Sequence, residues 1–410
     1  ERGYPGASVR EEPGKFRHED RQWDRNLFAQ WSLRKNFGKR YSLMVNAKYA
    51  YDFLHYLSDP REDVSTMYVD NRYHQQEAYI SAANEFRIAD WWRASLSADA
   101  QFNTLTADLT DFAYPTRLTL LGAAATAIDL ERFKMQASLL YTFVHDHTRY
   151  VGAAAGDRDE WTPTVIAQYK PLRNEELSFR AFYKRIFRMP TLNDLYYTFI
   201  GNKYLDPEYT TQYNIGAIYG RNFRRGIVRR VEVQVDGYFN QVKDKIIAMP
   251  SSNQFQWTML NLGYVEIVGV DAAAQLQWQF GPVAVNSRLS YTYQEAQDRT
   301  DPASEWYGGQ IPYIPWHSGS VVVGGVWRDW DLNYSFIYTG ERYESRANTP
   351  ANYAQPWYTN DLSLSRNIRF RNSTLRVTVE VNNIFNQQYE VVQCYPMPGT
   401  NFKIKLNWTL

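Results

Sequence analysis

Apolar and polar side chains alternate along segment after segment of this chain. A period of two is satisfied by extended strands that turn one face to apolar surroundings. Tyr41, Leu43, Val45, Ala47, Tyr49, Tyr51 and Phe53 alternate with Ser42, Asn46, Lys48 and Asp52. Trp92, Ala94, Leu96, Ala98, Ala100 and Phe102 alternate with Arg93, Ser95, Ser97, Asp99 and Gln101. The last segment sets Phe402, Ile404, Leu406, Trp408 and Leu410 against Lys403, Lys405, Asn407 and Thr409. A slip of one residue would turn those lysines onto the apolar face, so the register is strongly specified. The pattern predicts about seventeen strands. They fall near 25–34, 41–56, 74–87, 92–102, 117–128, 133–146, 161–170, 177–187, 209–221, 231–247, 257–280, 283–297, 316–327, 331–343, 357–367, 373–386 and 401–410.

Alternation alone also suits a half-solvated soluble sheet, and the connections decide between the two. Odd-numbered strands are followed by short links such as Lys35 to Arg40, Ile88 to Trp91, Gly281-Pro282 and Arg328 to Trp330. Even-numbered strands are followed by long polar ones: Asp146 to Glu160, Arg188 to Glu208, Asp298 to Pro315 and Glu344 to Pro356. Short turns on one side and long loops on the other mark an outer-membrane barrel. Phe37, Trp91, Trp92, Trp278, Phe280, Trp327 and Trp330 crowd the short-turn side, where a periplasmic aromatic girdle belongs. Aromatics make up 16% of the residues, yet mean hydropathy is only −0.55. That combination suits strands whose outward apolar face alternates with a polar lumen. A helical membrane protein would need apolar runs of ~18–20 residues, and none occurs.

The remaining composition narrows the function. A net charge of +1 is too balanced for a basic nucleic-acid-binding surface, and 44% hydrophobic residues are too many for disorder. Cys394 is the single cysteine, so no intrachain disulfide is possible. No linker or composition shift divides the chain, and residues 1–410 are expected to be one all-β domain, a transmembrane antiparallel β-barrel. No G-x-S-x-G elbow, P-loop or G-x-G-x-x-G is present, so an enzyme is not expected. His145 and His147 share one face of a strand end, as metal ligands would, but a solvated strand end fits them better for want of further ligands. No metal centre or cofactor is expected.

Several segments resemble the C-terminal barrel of TonB-dependent receptors. Phe187-Arg188-Met189-Pro190-Thr191-Leu192-Asn193-Asp194-Leu195-Tyr196 is similar to that family's FRxPTxxDLY segment. Tyr204-Leu205-Asp206-Pro207-Glu208 stands where relatives carry NPxLKPE, with Lys203-Tyr204 replacing Asn-Pro. Asn261-Leu262-Gly263 and Ile267-Val268-Gly269-Val270-Asp271 resemble an N-x-G…G-V-E strand. Val379 to Tyr389, followed by Pro398-Gly399, is similar to the family's closing strands, although Leu410 replaces a terminal Phe. The motifs occur in the family's order over most of the chain.

That family's barrel is of the about 22-stranded, plugged kind. Strand parity aligns the present strands with the family's sixth to last. The resemblance thus implies that a plug domain and about five strands precede this chain. Glu1 to Asp24 is then expected in an extracellular loop, and the strands at 25–34 and 401–410 are expected not to pair with each other. It also implies import of a bulky, scarce nutrient, a cobalamin or ferric-siderophore metal chelate, across a Gram-negative outer membrane. TonB would act through the plug. The outer-membrane lipid, and in one variant a surface lipoprotein, would be the other partners. A passive porin and a surface-adhesion or lipoprotein-docking barrel are the alternatives. Rings in the long loops are the candidate substrate-binding residues: Tyr196, Tyr197, Trp306, Tyr307 and Tyr343. Between Thr191 and Lys203 no histidine occurs where haem-importing relatives carry one. Arg188 is expected to be a structural ion-pair partner, and Lys403, Lys405, Arg93, Arg180 and Arg288 to face the lumen.

Overall fold

The computed structural model describes residues 2–5, 19–58, 68–110, 112–149, 154–173, 176–196, 201–250, 257–393 and 395–409. Strands β1 (Arg2–Pro5), β2 (Glu19–Phe37), β3 (Tyr41–Ser58), β4 (Val69–Ala89), β5 (Trp92–Ala107), β6 (Thr116–Asp129) and β7 (Phe133–His147) come first. Then follow β8 (Arg158–Tyr169), β9 (Glu176–Arg188), a one-turn helix α1 (Leu192–Tyr196), β10 (Glu208–Asn222), β11 (Val228–Pro250) and β12 (Trp257–Phe280). After β13 (Val283–Asp298), β14 (His317–Trp327) and β15 (Trp330–Thr339) come the two-residue β16 (Arg342–Tyr343) and β17 (Tyr353–Ala354). The chain closes with β18 (Trp357–Arg369), β19 (Thr374–Asn382), the short β20 (Glu390–Val392) and β21 (Tyr395–Pro396), and β22 (Asn401–Thr409). Every strand expected from the alternation is present, most of them longer than the pattern indicates.

The chain separates into two compact units. One comprises 1–167, 182–211 and 242–264; the other comprises 168–181, 212–241 and 265–410. In the first, β2 to β7 pair each with the next, antiparallel and in continuous register. Following one row across the ladders gives Ala47, Ile80, Ala100, Leu120 and Phe143, and the next row outward gives Tyr49, Ala78, Phe102 and Leu118. The opposite face carries Ser32, Asn46, Ser81 and Asp99 in a row. Ser32 Oγ donates to Asn46 at 2.8 Å and Asn46 Nδ2 to Ser81 at 3.1 Å. Beside them Lys48 reaches Glu77 at 2.8 Å, and Gln101 donates to the same carboxylate at 3.0 Å. Apolar side chains such as Leu96, 55% exposed, and Ile80, 56% exposed, therefore stand bare on the other face. A face of that kind is stable against hydrocarbon, not water.

The second unit repeats the arrangement. From β12 to β15, then β18, β19 and β22, each strand pairs antiparallel with the next. Its apolar face reads Ala274, Leu289, Val321, Phe336 along one row and Leu332, Leu364, Val379, Ile404 along another. Its polar face holds Gln275, Arg288, Asn333, Ser363, Glu380 and Lys403. Lys405 Nζ lies 2.5 Å from Glu380, and Arg180 grips Asp236 with contacts of 2.8 and 2.5 Å. Strand β22 is exposed at every position, with Phe402 at 75% and Trp408 at 62%.

Three expectations need correction. Glu1 to Asp24 is not a loop throughout: Arg2–Pro5 pairs antiparallel with Glu19–Gln22, so β2 begins six residues before the expected first strand. The expected strand 331–343 stops at Thr339, where the Gly340 amide turns to the His317 carbonyl at 2.8 Å and leaves no room for a side chain. The strand expected over 373–386 stops at Asn382, because Asn383 and Asn386 adopt φ of 49° and 52°. The Asn383 side chain holds that turn by donating to Gln387 O at 2.9 Å and accepting from Gln387 N at 2.9 Å.

Candidate functional site

In each unit the described residues of the long links are held by local hydrogen bonds and ion pairs. In the first unit, the Phe187 to Glu208 segment is built around α1. Thr191 and Asp194 cap the turn reciprocally: Thr191 N donates to the Asp194 carboxylate at 2.9 Å and Asp194 N to Thr191 Oγ1 at 3.1 Å. Arg188 lies 3.4 Å from Asp194 and 3.5 Å from Glu208, tying the turn to both flanking strands as a structural ion-pair partner. Glu208 also accepts from Ile246 N at 3.0 Å. Asp206 N donates to Asn261 Oδ1 at 2.9 Å, and Asn261 Nδ2 returns to Asp206 O at 3.0 Å. The motif-bearing residues therefore fasten the loop to the wall. Deeper, Arg117 holds Asp146 through two bonds of 2.6 and 2.7 Å and donates a third to Pro190 O at 2.5 Å.

Tyr196 ends α1 and turns into this packing. It lies against Leu195, Leu205 and Ile246, and also against the cluster of Tyr73, Leu105, Phe112 and Leu192. Its hydroxyl accepts from Ala155 N at 3.1 Å, and burial pushes its pKa above the ordinary tyrosine value. Tyr197 lies outside the described residues. His145 Nδ1 is 2.7 Å from Asp157, an exposed pair at a strand end.

In the second unit, the loops 299–316 and 340–356 are stitched to each other. Asp298, whose side chain is 6% exposed, meets Arg346 at 2.6 Å. Gln310 N donates to Asn348 Oδ1 at 2.5 Å, Asn348 Nδ2 donates back to Gln310 O at 3.2 Å, and Tyr313 N donates to Tyr343 O at 2.8 Å. Arg342 is buried and spends its donors on the carbonyls of Gln355 and Glu390, at 3.2 and 2.7 Å. On this frame Trp306 is half-buried, and Tyr307 is 41% exposed with the Arg299 guanidinium 5.1 Å from its ring centroid. Tyr343 packs edge-on against Tyr353 at 5.9 Å, and Glu341 holds the Tyr353 hydroxyl at 2.9 Å, which raises its pKa. The structure thus brings Trp306, Tyr307 and Tyr343 onto one pair of joined loops, while Tyr196 belongs to the other unit.

Sequence reasoning missed the residues that hold these loops: Arg117, Asp146, Asp298, Gln310, Arg346 and Asn348. Each is an ordinary polar residue at a strand end or in a loop, and its partner lies 29 to 48 positions away. Rings on a stitched frame lose little entropy when they grip a flat or bulky ligand. Among the described residues no group of three or more His, Cys, Asp or Glu side chains is placed to hold a metal ion.

Residues 2–384 match the family model described as TonB dependent receptor-like, beta-barrel. A vitamin B12 transporter BtuB from Photobacterium profundum is 26% identical over 221 residues, 51% of this chain and 31% of that protein. The chain aligns with only about a third of such curated relatives. Among solved structures, the ferric citrate transporter FecA superposes with a TM-score of 0.70 at 11% identity, covering 94% of this chain and 62% of that one. The siderophore receptor PiuA from Acinetobacter baumannii gives 0.68 at 12% identity, covering 95% and 65%. At those identities the superpositions show the fold.

Proposed function

This chain belongs to the TonB-dependent receptor β-barrel family, and from that premise we propose that it walls an energised outer-membrane transporter. Its cargo is a bulky, scarce nutrient, a metal chelate of the cobalamin or ferric-siderophore class. The observation that carries this reading is the pair of stitched loops bearing Trp306, Tyr307 and Tyr343. They present rigid aromatic surface at the long-loop end of strands whose other face suits hydrocarbon. Tyr197 joins the proposed contact residues, and the packing of Tyr196 supports a role for it in holding the loop. The polar face, with Lys403, Lys405, Arg93 and Arg288, would line the lumen and seat a plug through which TonB acts. The cell outer membrane of a Gram-negative bacterium is the proposed location.

The family's members are transporters, which speaks against an enzyme and against a passive porin. A surface-adhesion or lipoprotein-docking role would use the same loops without uptake, and growth separates the two. Deleting the gene should abolish growth on limiting cobalamin or on one chelated iron source, with rescue by the intact gene. Undiminished growth on every such source, with lost surface attachment, would support docking instead.

A further inference from the structure

The short-turn end of the second unit carries arginines where its apolar face meets the membrane boundary. Trp327 of β14 stands opposite Trp330 of β15, and Trp330 opposite Arg366 of β18, so all three share the outward apolar face. The Arg366 guanidinium lies 4.9 Å from the Trp330 ring centroid, and Arg328, in the adjoining turn, lies 5.1 Å from that of Trp327. Farther along the rim, Val233 of β11 borders the same outward groove as Ala272, Leu289 and Phe336. Arg229, four residues before Val233, is therefore on that face. Phe223 N donates to Arg229 O at 2.8 Å, which puts Phe223 beside Arg229, and Arg221 lies 5.4 Å from the Phe223 ring centroid.

Arg221, Arg229, Arg328 and Arg366 are all exposed, and among the described residues none of the four is ion-paired. From the short turns up to the level of Tyr291, the outward positions of β10 to β15, β18, β19 and β22 hold no Asp or Glu. Of the carboxylates at this end, Glu176, Glu232 and Asp331 are on the polar face, engaged by Arg230 and Arg376, and Asp329, in the turn beside Arg328, is held by Arg369 at 2.9 Å. A lumen requirement therefore does not explain the outward arginines. An arginine laid on an indole at a membrane interface keeps its stem in apolar surroundings and its fork at headgroup height. That fork matches a phosphodiester.

We infer that this rim is a binding surface for anionic phospholipid headgroups of the leaflet on the short-turn side. Each phosphate is held by an exposed arginine; Arg221, Arg328 and Arg366 each lie against an aromatic ring, and Arg229 is steadied by a bond to Arg224 O at 3.1 Å. The inference rests on the membrane-barrel reading. The test uses the full-length protein, purified folded in a nonionic detergent and titrated with phosphatidylglycerol or phosphatidylcholine under native mass spectrometry. Phosphatidylglycerol should bind more tightly, and each Arg→Gln change at Arg221, Arg229 or Arg366 should weaken it about fivefold. The triple Arg→Lys variant should retain most of the preference, and heat-modifiable gel migration should show every variant folded. Equal retention of the two lipids, or an unchanged preference in the folded triple Arg→Gln variant, overturns the inference and leaves the barrel reading standing. Variants that lose lipopolysaccharide instead of phosphatidylglycerol overturn it as well. A full-length protein that never inserts into vesicles sinks both.

Discussion

Arg117 and Asp146 stand opposite one another between β6 and β7, and their side chains are 9% and 0% exposed. Removing the arginine leaves a carboxylate buried without its counter-charge, which costs about 3–5 kcal/mol. Arg117→Ala should therefore lower the urea midpoint of the folded barrel markedly, as read by heat-modifiable migration. Lys134 and Asp129 form a pair of similar length, 2.9 Å, with side chains 51% and 45% exposed. Exposed pairs contribute about 0–1 kcal/mol, so Lys134→Ala should leave the midpoint nearly unchanged. Equal shifts for the two would show that burial does not set their worth. Tyr196 and Tyr307 differ in the same way. Tyr196→Phe removes the acceptor for Ala155 N and should destabilise the loop by about 1 kcal/mol. If the proposed cargo contact is right, Tyr307→Ala should weaken chelate binding with no change in barrel stability. In the sequence the two tyrosines look alike, since a ring in a long loop carries no mark of whether its neighbours are lipid, ligand or core. Only the fold shows that Tyr196 meets Leu195, Leu205 and Ile246.

At the scale of elements, the strands were legible because each carries its own evidence. Leu96 and Ser97 show why. Leu96 aligns with Asn84 and Ala124 on a face otherwise filled by Ala98, Ile80 and Phe102, and Ser97 aligns with Ala83 and Ala123 on the face of Asp99 and Ser81. Leu96→Arg should cost about 2–4 kcal/mol near the bilayer midplane and hinder assembly, whereas Ser97→Arg meets a hydrated face and should be tolerated. Equal assembly yields in lipid vesicles would mean that the faces are reversed. Strand ends were less legible than strand bodies. Apolar residues continue past Asn382 through Ile384 and Phe385, and alternation alone carries the strand onward. What stops it is the left-handed backbone at Asn383 and Asn386, which depends on local side-chain bonds that periodicity does not encode. The early hairpin of Arg2–Pro5 with Glu19–Gln22 was missed for the opposite reason. Its residues, Glu19, Asp20, Arg21 and Gln22, are polar on both faces, so no alternation marks them.

At the scale of the whole molecule the two units differ: in the first the loop is bonded to the wall strands, while in the second wall and loops draw largely on separate interactions, a separation that can be tested. Each wall ladder is a run of backbone pairs set by register, such as Val283 to Tyr293 against Trp327 to His317. The loops 299–316 and 340–356 bond to each other through Gln310 to Asn348 and Tyr313 to Tyr343, and Arg346 ties them to Asp298 at the end of β13. Replacing both loops by short turns in the full-length protein should therefore leave heat-modifiable migration and vesicle insertion intact. The same replacement removes Trp306, Tyr307 and Tyr343 together, and with them the proposed contact surface for the chelate. Growth on the limiting nutrient should fall to the level of the deletion strain. Asn348→Ala should give a milder form of the same defect, since it frees Gln310 without deleting a ring. Specific binding should then weaken by about tenfold, from the loss of hydrogen bonds worth about 0.5–1.5 kcal/mol each and of the order they impose on the loop. If the doubly shortened protein assembles and still supports growth as the intact one does, the cargo is gripped elsewhere, by the polar face or by the plug. If it fails to assemble, the loops serve the wall, and the assignment of Trp306, Tyr307 and Tyr343 to ligand capture loses its support.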